Sequence, residues 1–230
     1  MKYYFLIFSL LVSLCAKSQQ EDYSQNSEQN EYNYPNTNIG KGSLALHVGF
    51  GNMLYTGNID KFVKPTVCGA VSLDLYFINN FTFSLTAMGT TTNLQKDITI
   101  KNKLWTPNDT VDFQSYGFYF GRSLLNNVHW RINPFIGIVL SHTKFTSPDG
   151  TTCRIGPEPS PIAGINFSYR FINVKKAMQQ RDKYSGESGC WGINARMTFV
   201  PFAVHNKSVP FSGGIWYMTI GVTLNMFGID

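Results

Sequence analysis

Four polar side chains, His47, Asp74, Arg170 and Arg196, share one feature of position. Each falls on the polar phase of a run in which apolar and polar residues alternate with period two. His47 sits between Leu46 and Val48, Asp74 between Leu73 and Leu75, Arg170 between Tyr169 and Phe171, and Arg196 between Ala195 and Met197. In a strand that alternation places the charged group on the face opposite its apolar neighbours. If the four faces converge, one carboxylate meets two guanidiniums and an imidazole. Such a set can neutralise itself as an interior ion network, or line a narrow passage that favours anions. Asp74 is the one carboxylate on the polar phase of the strands, so an arginine turned inward must pair with it. Arg122 ends an alternating run and is a candidate for the rim of the same interior.

Other chemistry is sparse. His205 and Ser208 could pair a base with a hydroxyl nucleophile, yet no carboxylate stands nearby in sequence to orient the imidazole. His142 stands alone at a strand end. Beyond the N-terminal segment there are three cysteines, Cys68, Cys153 and Cys190, too few and too irregular for a disulfide framework or a metal site. Cys68 starts a strand and Cys153 sits in a loop, so the two could meet near one rim; free thiols are the plainer reading. Nothing in the spacing asks for a cofactor.

The elements that must position these residues announce themselves most clearly at the end of the chain. In GIWYMTIGVTLNMF, residues 214–227, Trp216, Met218, Ile220, Val222, Leu224 and Met226 alternate with smaller or polar residues. Ordinary strands run to about five or six residues; a strand tilted across a bilayer needs about nine to eleven. The same pattern predicts strands over 43–51, 66–77, 81–92, 111–124, 130–142, 162–171 and 191–199. Long connections follow the first, third, fifth and seventh strands and short turns follow the second and fourth; the connection 173–189 departs from the rule. Pro134, lacking an N–H, belongs near a strand end or bulge. Trp105, Phe145 and Phe211, in long connections, are candidate contacts for an external partner.

Composition agrees with strands facing lipid. Hydrophobic residues make up 43% of the 230, aromatics 15% and charged residues only 14%, while mean hydropathy is −0.12. Apolar residues are thus finely interleaved with polar ones, and no later run approaches the roughly 18 apolar residues of a membrane helix. Residues 1–18 read as a signal peptide: Lys2, an apolar core, then Ala16-Lys17-Ser18 before Gln19. Cys15 follows Leu14, where a lipobox wants a small residue. Losing Lys2 and Lys17 lowers the net charge of +5 to about +3, which argues against nucleic acid. Residues 19–41, rich in Gln, Asn, Glu and Ser, cannot bury enough apolar surface to fold and read as a disordered tail. The basic stretch from Lys175 to Lys183 reads as a solvated charge run.

The leader ending at Gln19, the phrase Asn133-Pro134-Phe135-Ile136-Gly137 and the final strand together resemble the small outer-membrane β-barrel proteins of Bacteroidota, the OmpA-like or porin-family eight-stranded group. Thr219, Gly221, Leu224, Met226 and Phe227 resemble the C-terminal β-signal read by the barrel-assembly machinery. The pattern departs in placing Phe227 one residue late with three residues behind it. The resemblance covers about residues 42–227 and implies a fold and an address. Lipid A deacylases, enzymes among such barrels, use a His and a Ser, but the spacing of His205 and Ser208 differs from theirs.

These readings predict an all-β, eight-stranded antiparallel up-and-down transmembrane β-barrel over residues 42–230, in the outer membrane after export through a cleaved signal peptide. Its partners would be outer-membrane lipid, the assembly machinery and an envelope or extracellular protein met through the external loops. A non-enzymatic structural or interaction role is expected. A small diffusion channel is the alternative, and a lipid-modifying enzyme stands behind both. An eight-stranded barrel is only wide enough for side chains to fill, so His47, Asp74, Arg170 and Arg196 are expected to form a plug rather than a pore.

Overall fold

Period-two alternation becomes eight long antiparallel strands and three short ones. The structure, a computed structural model, describes residues 43–77, 80–126, 129–171, 188–204 and 212–227. In chain order the strands are β1 (Ser43–Tyr55), β2 (Thr66–Tyr76), β3 (Phe81–Asn93), β4 (Ile98–Ile100), β5 (Lys103–Trp105), β6 (Thr110–Arg122), β7 (Leu125–Asn126), β8 (Trp130–Thr146), β9 (Thr152–Arg170), β10 (Ser188–Val204) and β11 (Gly213–Phe227). The long strands pair in the order β1-β2-β3-β6-β8-β9-β10-β11, and β11 returns to pair with β1, so the sheet closes into an eight-stranded barrel. The β1–β11 seam runs from Ser43↔Phe227 to Tyr55↔Ile215 without a shift. Gly221 sits in that seam, where a Cβ would lie 2.0 Å from the Val48 carbonyl oxygen, so the close approach of the strands requires glycine there.

Every long strand turns large apolar side chains outward. Leu46, Val48, Leu73, Leu85, Phe118, Ile138, Phe171, Ile193 and Val222 are all exposed, and Phe50 and Ile136 are 74% and 70% exposed. Left in water each such side chain forgoes roughly 1.5–3 kcal/mol, which a hydrocarbon surround restores. The outward and inward residues of all eight strands follow the phase that the alternation predicts.

The interior divides along the barrel axis. Toward the end where Ser43 and Phe227 meet, here the terminal end, the inward residues are polar: His47, Asp74, Asn133, Asn166, Arg170, Asn194, Thr223 and Asn225. Toward the opposite, loop end the interior is an apolar core built from Met53, Val63, Leu94, Phe113, Ile155 and Ile215, with Ile59 of the short 3-10 helix Ile59–Lys61. The long connection after the third predicted strand, 93–110, supplies part of this core. Its hairpin β4–β5 turns on Lys101 and Asn102, both at positive φ (49 and 62), and buries Ile98, Ile100 and Trp105. Trp105 stacks at a tilt on Phe145, ring centroids 5.6 Å apart, and both are buried. They are therefore core residues and not the external contacts that their loop positions suggest; Phe211 lies outside the described residues. Asp109 ties the layer together, accepting from the Thr106 N–H (2.6 Å) and the Ser147 hydroxyl (2.6 Å).

Strands also extend further than the sequence predicts. β1 continues to Tyr55, and the Pro-rich stretch 143–161 forms the outer half of the β8–β9 hairpin, closed by the turn 147–151. Its prolines explain how. The β8–β9 ladder runs through Pro159↔Leu140 and Pro161↔Ile138. It must therefore take its bonds from the intervening residues, which leaves the proline nitrogens on the other edge. On that edge the ladder to β10 ends at Ala163↔Phe199, so no ladder bond is forfeited. Prolines on an otherwise open edge also block pairing with another chain. A bulge between Ser141 and Thr143 lies opposite Gly156, at φ +99. Pro134 lies where β8 changes partner, between Phe135↔Gly121 of β6 and Ile132↔Leu125 of β7.

Trp105→Ala should cost about 3–5 kcal/mol of unfolding free energy by opening a cavity in the loop-end core. Leu104→Ala, at an adjacent residue that is 57% exposed, should change it by less than about 0.5 kcal/mol. Urea unfolding of the refolded protein in detergent checks both.

Candidate functional site

Asp74 is the centre of the polar half of the interior. It projects from β2 and is fully buried. Burying a carboxylate is costly unless hydrogen bonds and a counter-charge replace its water, and five side chains do so. Arg196 of β10 reaches across the interior to place Nη2 3.1 Å from Oδ2. Tyr76 donates to Oδ2 (3.0 Å), and Tyr119 of β6 (2.9 Å) and Ser84 of β3 donate to Oδ1. His47 of β1 brings Nε2 to 2.9 Å from Oδ2, a contact off hydrogen-bond alignment. Arg196 Nη1 also donates to Ser72 (2.8 Å), and its guanidinium lies 5.3 Å from the Tyr119 ring and 5.8 Å from Phe135. Tyr119 and Phe135 stack with centroids 4.1 Å apart. Gly164 leaves the room for this stack, since a Cβ there would meet Phe135 at 2.4 Å.

The sequence-predicted set divides in two. His47, Asp74 and Arg196 come together as expected. Arg170 does not join Asp74. It lies nearer the terminal end, where its Nη2 donates to Asn126 Oδ1 (3.1 Å), an oxygen that also accepts from Arg131 Nε (3.2 Å). Arg131 is buried and lies over the Tyr76 ring at 3.5 Å. Sequence reasoning passed over Arg131, although it shares the inward phase of Asn133 and Phe135. It also passed over Tyr76 and Tyr119 as ligands of the carboxylate, because a tyrosine in an alternating run reads equally well as packing. Arg122 is exposed, with its guanidinium 5.6 Å from the Phe81 ring, and lines no interior. Asn166, Ser168 and Asn194 form a further interior group, Asn194 Nδ2 donating to Asn166 Oδ1 and to Ser168 Oγ (3.3 Å).

Chemically, this interior holds charge, and Asp74, Arg131, Arg170 and Arg196 are all buried. Arg196 bridges from β10 to β2, strands separated by β1 and β11 in the sheet order, so the contact crosses the barrel. His205 and Ser208 lie outside the described residues, as does the Lys175–Lys183 stretch. His142 packs edge-on against Tyr116, centroids 6.1 Å apart. Cys68, Cys153 and Cys190 are free thiols, so the first two do not pair. Among the described residues no cluster of three His, Cys, Asp or Glu side chains could hold a metal ion. Within the candidate β-signal, Thr219 faces the interior, Leu224 and Met226 are half-buried on the outward phase, and Phe227 pairs with Ser43 and Ser188 as the last residue of β11. At the loop-end turn, the Thr151 N–H donates to Asp149 (2.8 Å) and holds its carboxyl below the usual carboxylate range.

No protein-family model matches the chain, and no curated protein does. Solved structures that resemble it include Ail, the attachment invasion locus protein of Yersinia pestis, in complex with a heparin analogue (14% identity, TM-score 0.44, 80% of this chain and 99% of that one). Neisserial surface protein A is similar at 10% identity and TM-score 0.44, over 80% of this chain and 94% of the other. The outer membrane protein OprG of Pseudomonas aeruginosa is similar at 9% identity and TM-score 0.43, over 82% and 98%.

Asp74→Asn should cost about 3–5 kcal/mol, because it strands the Arg196 charge in the interior. Asp74→Leu combined with Arg196→Met removes both charges and should recover most of that loss. A double-mutant cycle from urea unfolding in detergent measures the coupling.

Proposed function

We propose that this chain is an integral outer-membrane protein that acts without catalysis, as a closed anchor presenting its loop-end assembly to an envelope or extracellular protein. Export would proceed through a signal peptide, residues 1–18, that is then cleaved, and Thr219, Gly221, Leu224, Met226 and Phe227 would be read by the barrel-assembly machinery. The outward belt of Leu, Ile, Val and Phe on every long strand supports the lipid setting, since a water-soluble barrel needs polar residues there. The observation that carries the closed reading is the filled interior: the Asp74–Arg196 bridge crosses one half, and the core around Trp105, Phe113 and Ile155 fills the other. An apolar layer of that kind excludes hydrated ions, because an ion entering it loses its water without gaining a partner.

This reading rests on the belt and the filled interior alone. Among the described residues, the strands project beyond the belt as a paired and packed unit, which supports reading that part of the loop end as a preorganised surface. A rigid surface of this kind binds with little ordering entropy to offset.

Two measurements test the proposal. Refolded into detergent, the protein should migrate on a gel as a compact band that shifts on boiling, with a β-rich circular dichroism spectrum; solubility without detergent would sink the membrane assignment. In a planar bilayer the refolded barrel should show no single-channel steps. Resolved steps would replace the anchor with a channel.

A further inference from the structure

The wall of the barrel parts at one place within its apolar belt. Just past β9, the Phe171 N–H donates to the Trp191 carbonyl (2.8 Å), so the odd-numbered residues of β9 turn their ladder groups toward β10. That register continues through Tyr169↔Ile193 to Ala163↔Phe199 and stops there, although both strands run on. The next bonded pair would set Pro161 opposite Pro201, and neither has an N–H to donate. A ladder that ends against hydrocarbon normally strands N–H groups; the two prolines strand none. The parting leaves a groove of about 500 Å³ on the outer face, lined by Ile136, Ile138, Pro161, Ala163, Phe199 and Pro201. That size falls within the roughly 300–1,000 Å³ of ligand pockets. Ala163, exposed between Ile136 and Phe199 in the register, has too small a side chain to fill it.

The strands that line the groove carry cations further toward the loop end. Lys144 of β8 and Arg154 of β9 are cross-strand partners on the outward phase, and Lys101 of the β4–β5 turn donates its Nζ to the Arg154 carbonyl (3.3 Å). Like charges set opposite each other in a sheet repel, and an anion laid across them relieves it. Asp112 of β6 approaches Lys144 at 3.9 Å, a partly exposed pairing of little strength. Ile138 and Lys144 stand six residues apart on β8. That is about 20 Å along the strand, or about 15 Å of depth at a barrel tilt of about 40°, the hydrocarbon thickness of one leaflet.

We propose that this face holds one phosphorylated lipid of the outer leaflet, of the lipid A class, with an acyl chain in the Pro161–Pro201 groove and its phosphate against Lys101, Lys144 and Arg154. An apolar groove alone would suit any hydrocarbon or a second barrel. The cations on the same two strands, one leaflet's depth away, select an anionic headgroup. Such binding presupposes the outer-membrane setting proposed above, with the loop end outside.

Native mass spectrometry of the refolded full chain in dodecyl maltoside, mixed with monophosphoryl lipid A, tests it. Heat-modifiable migration is checked first: a chain that forms no barrel overturns the membrane reading and this site with it. The folded wild type should keep one lipid per barrel, at least about fivefold more than it keeps of phosphatidylcholine at the same concentration. Ala163→Trp, which fills the groove from an exposed position, should lower that retention at least about fivefold. Lys144→Gln combined with Arg154→Gln should retain the two lipids about equally. Leu73→Trp, at an outward position of β2, should behave like the wild type. If the barrel folds and retains no lipid, or if Ala163→Trp retains as much as the wild type, the site is overturned while the closed anchor stands. A dimer in place of the lipid adduct also overturns it and gives the groove to a second copy.

Discussion

A carboxylate shut away from water has to be met by donors on every side, and the interior of this barrel is arranged around that demand. Asp74 stands on β2, and its partners come from β1 (His47), β2 itself (Tyr76), β3 (Ser84), β6 (Tyr119) and β10 (Arg196). Five of the eight barrel strands thus meet at two oxygen atoms. Ladder bonds hold each strand only to its neighbours, whereas the Asp74 cluster joins strands on opposite walls. Removing one partner exposes the full desolvation penalty of another, which is why such a network enforces one cross-section more strongly than its net stability suggests.

Above this polar layer the same barrel changes solvent. Strands that leave the apolar belt continue as paired ladders and turn Phe113, Phe145 and Ile155 inward, and the β4–β5 hairpin adds Ile98, Ile100 and Trp105. The result is a wall with an apolar outer face around what is, at one end, an ordinary apolar protein core. Dispersion and burial hold that end together, and hydrogen bonds and charge hold the other. Among the described residues, a crossing ion pair occupies one level of the interior and an apolar layer the other.

The outward belt, the number of long strands and the inward phase of His47, Asp74, Arg170 and Arg196 were all legible in the sequence, because one local property, alternation, reports them. The loop end was not. The Pro-rich stretch 143–161 and the polar stretch 93–110 carry the composition of loops, and composition cannot reveal that Pro159 and Pro161 turn their missing donors toward an edge without a ladder. Trp105 and Phe145 looked like surface aromatics because nothing nearby in sequence says that each is covered by the other. Alternation around Lys101-Asn102, with Ile98 and Ile100 in phase, was the one available signal of a hairpin there.

What the sequence determined by itself, then, is which way each strand residue faces. A period of two has only two phases, and the apolar one takes the outer face of the barrel. Which inward residues touch was decided by the tertiary structure alone. Arg170 and Arg196 occupy the same phase with equal claim on Asp74, yet they lie at different heights once β9 and β10 take their registers against their neighbours. Strand tilt and stagger set those heights, and they emerge only when the sheet closes. Arg196 is thereby carried to the carboxylate, and Arg170 is left beside Arg131.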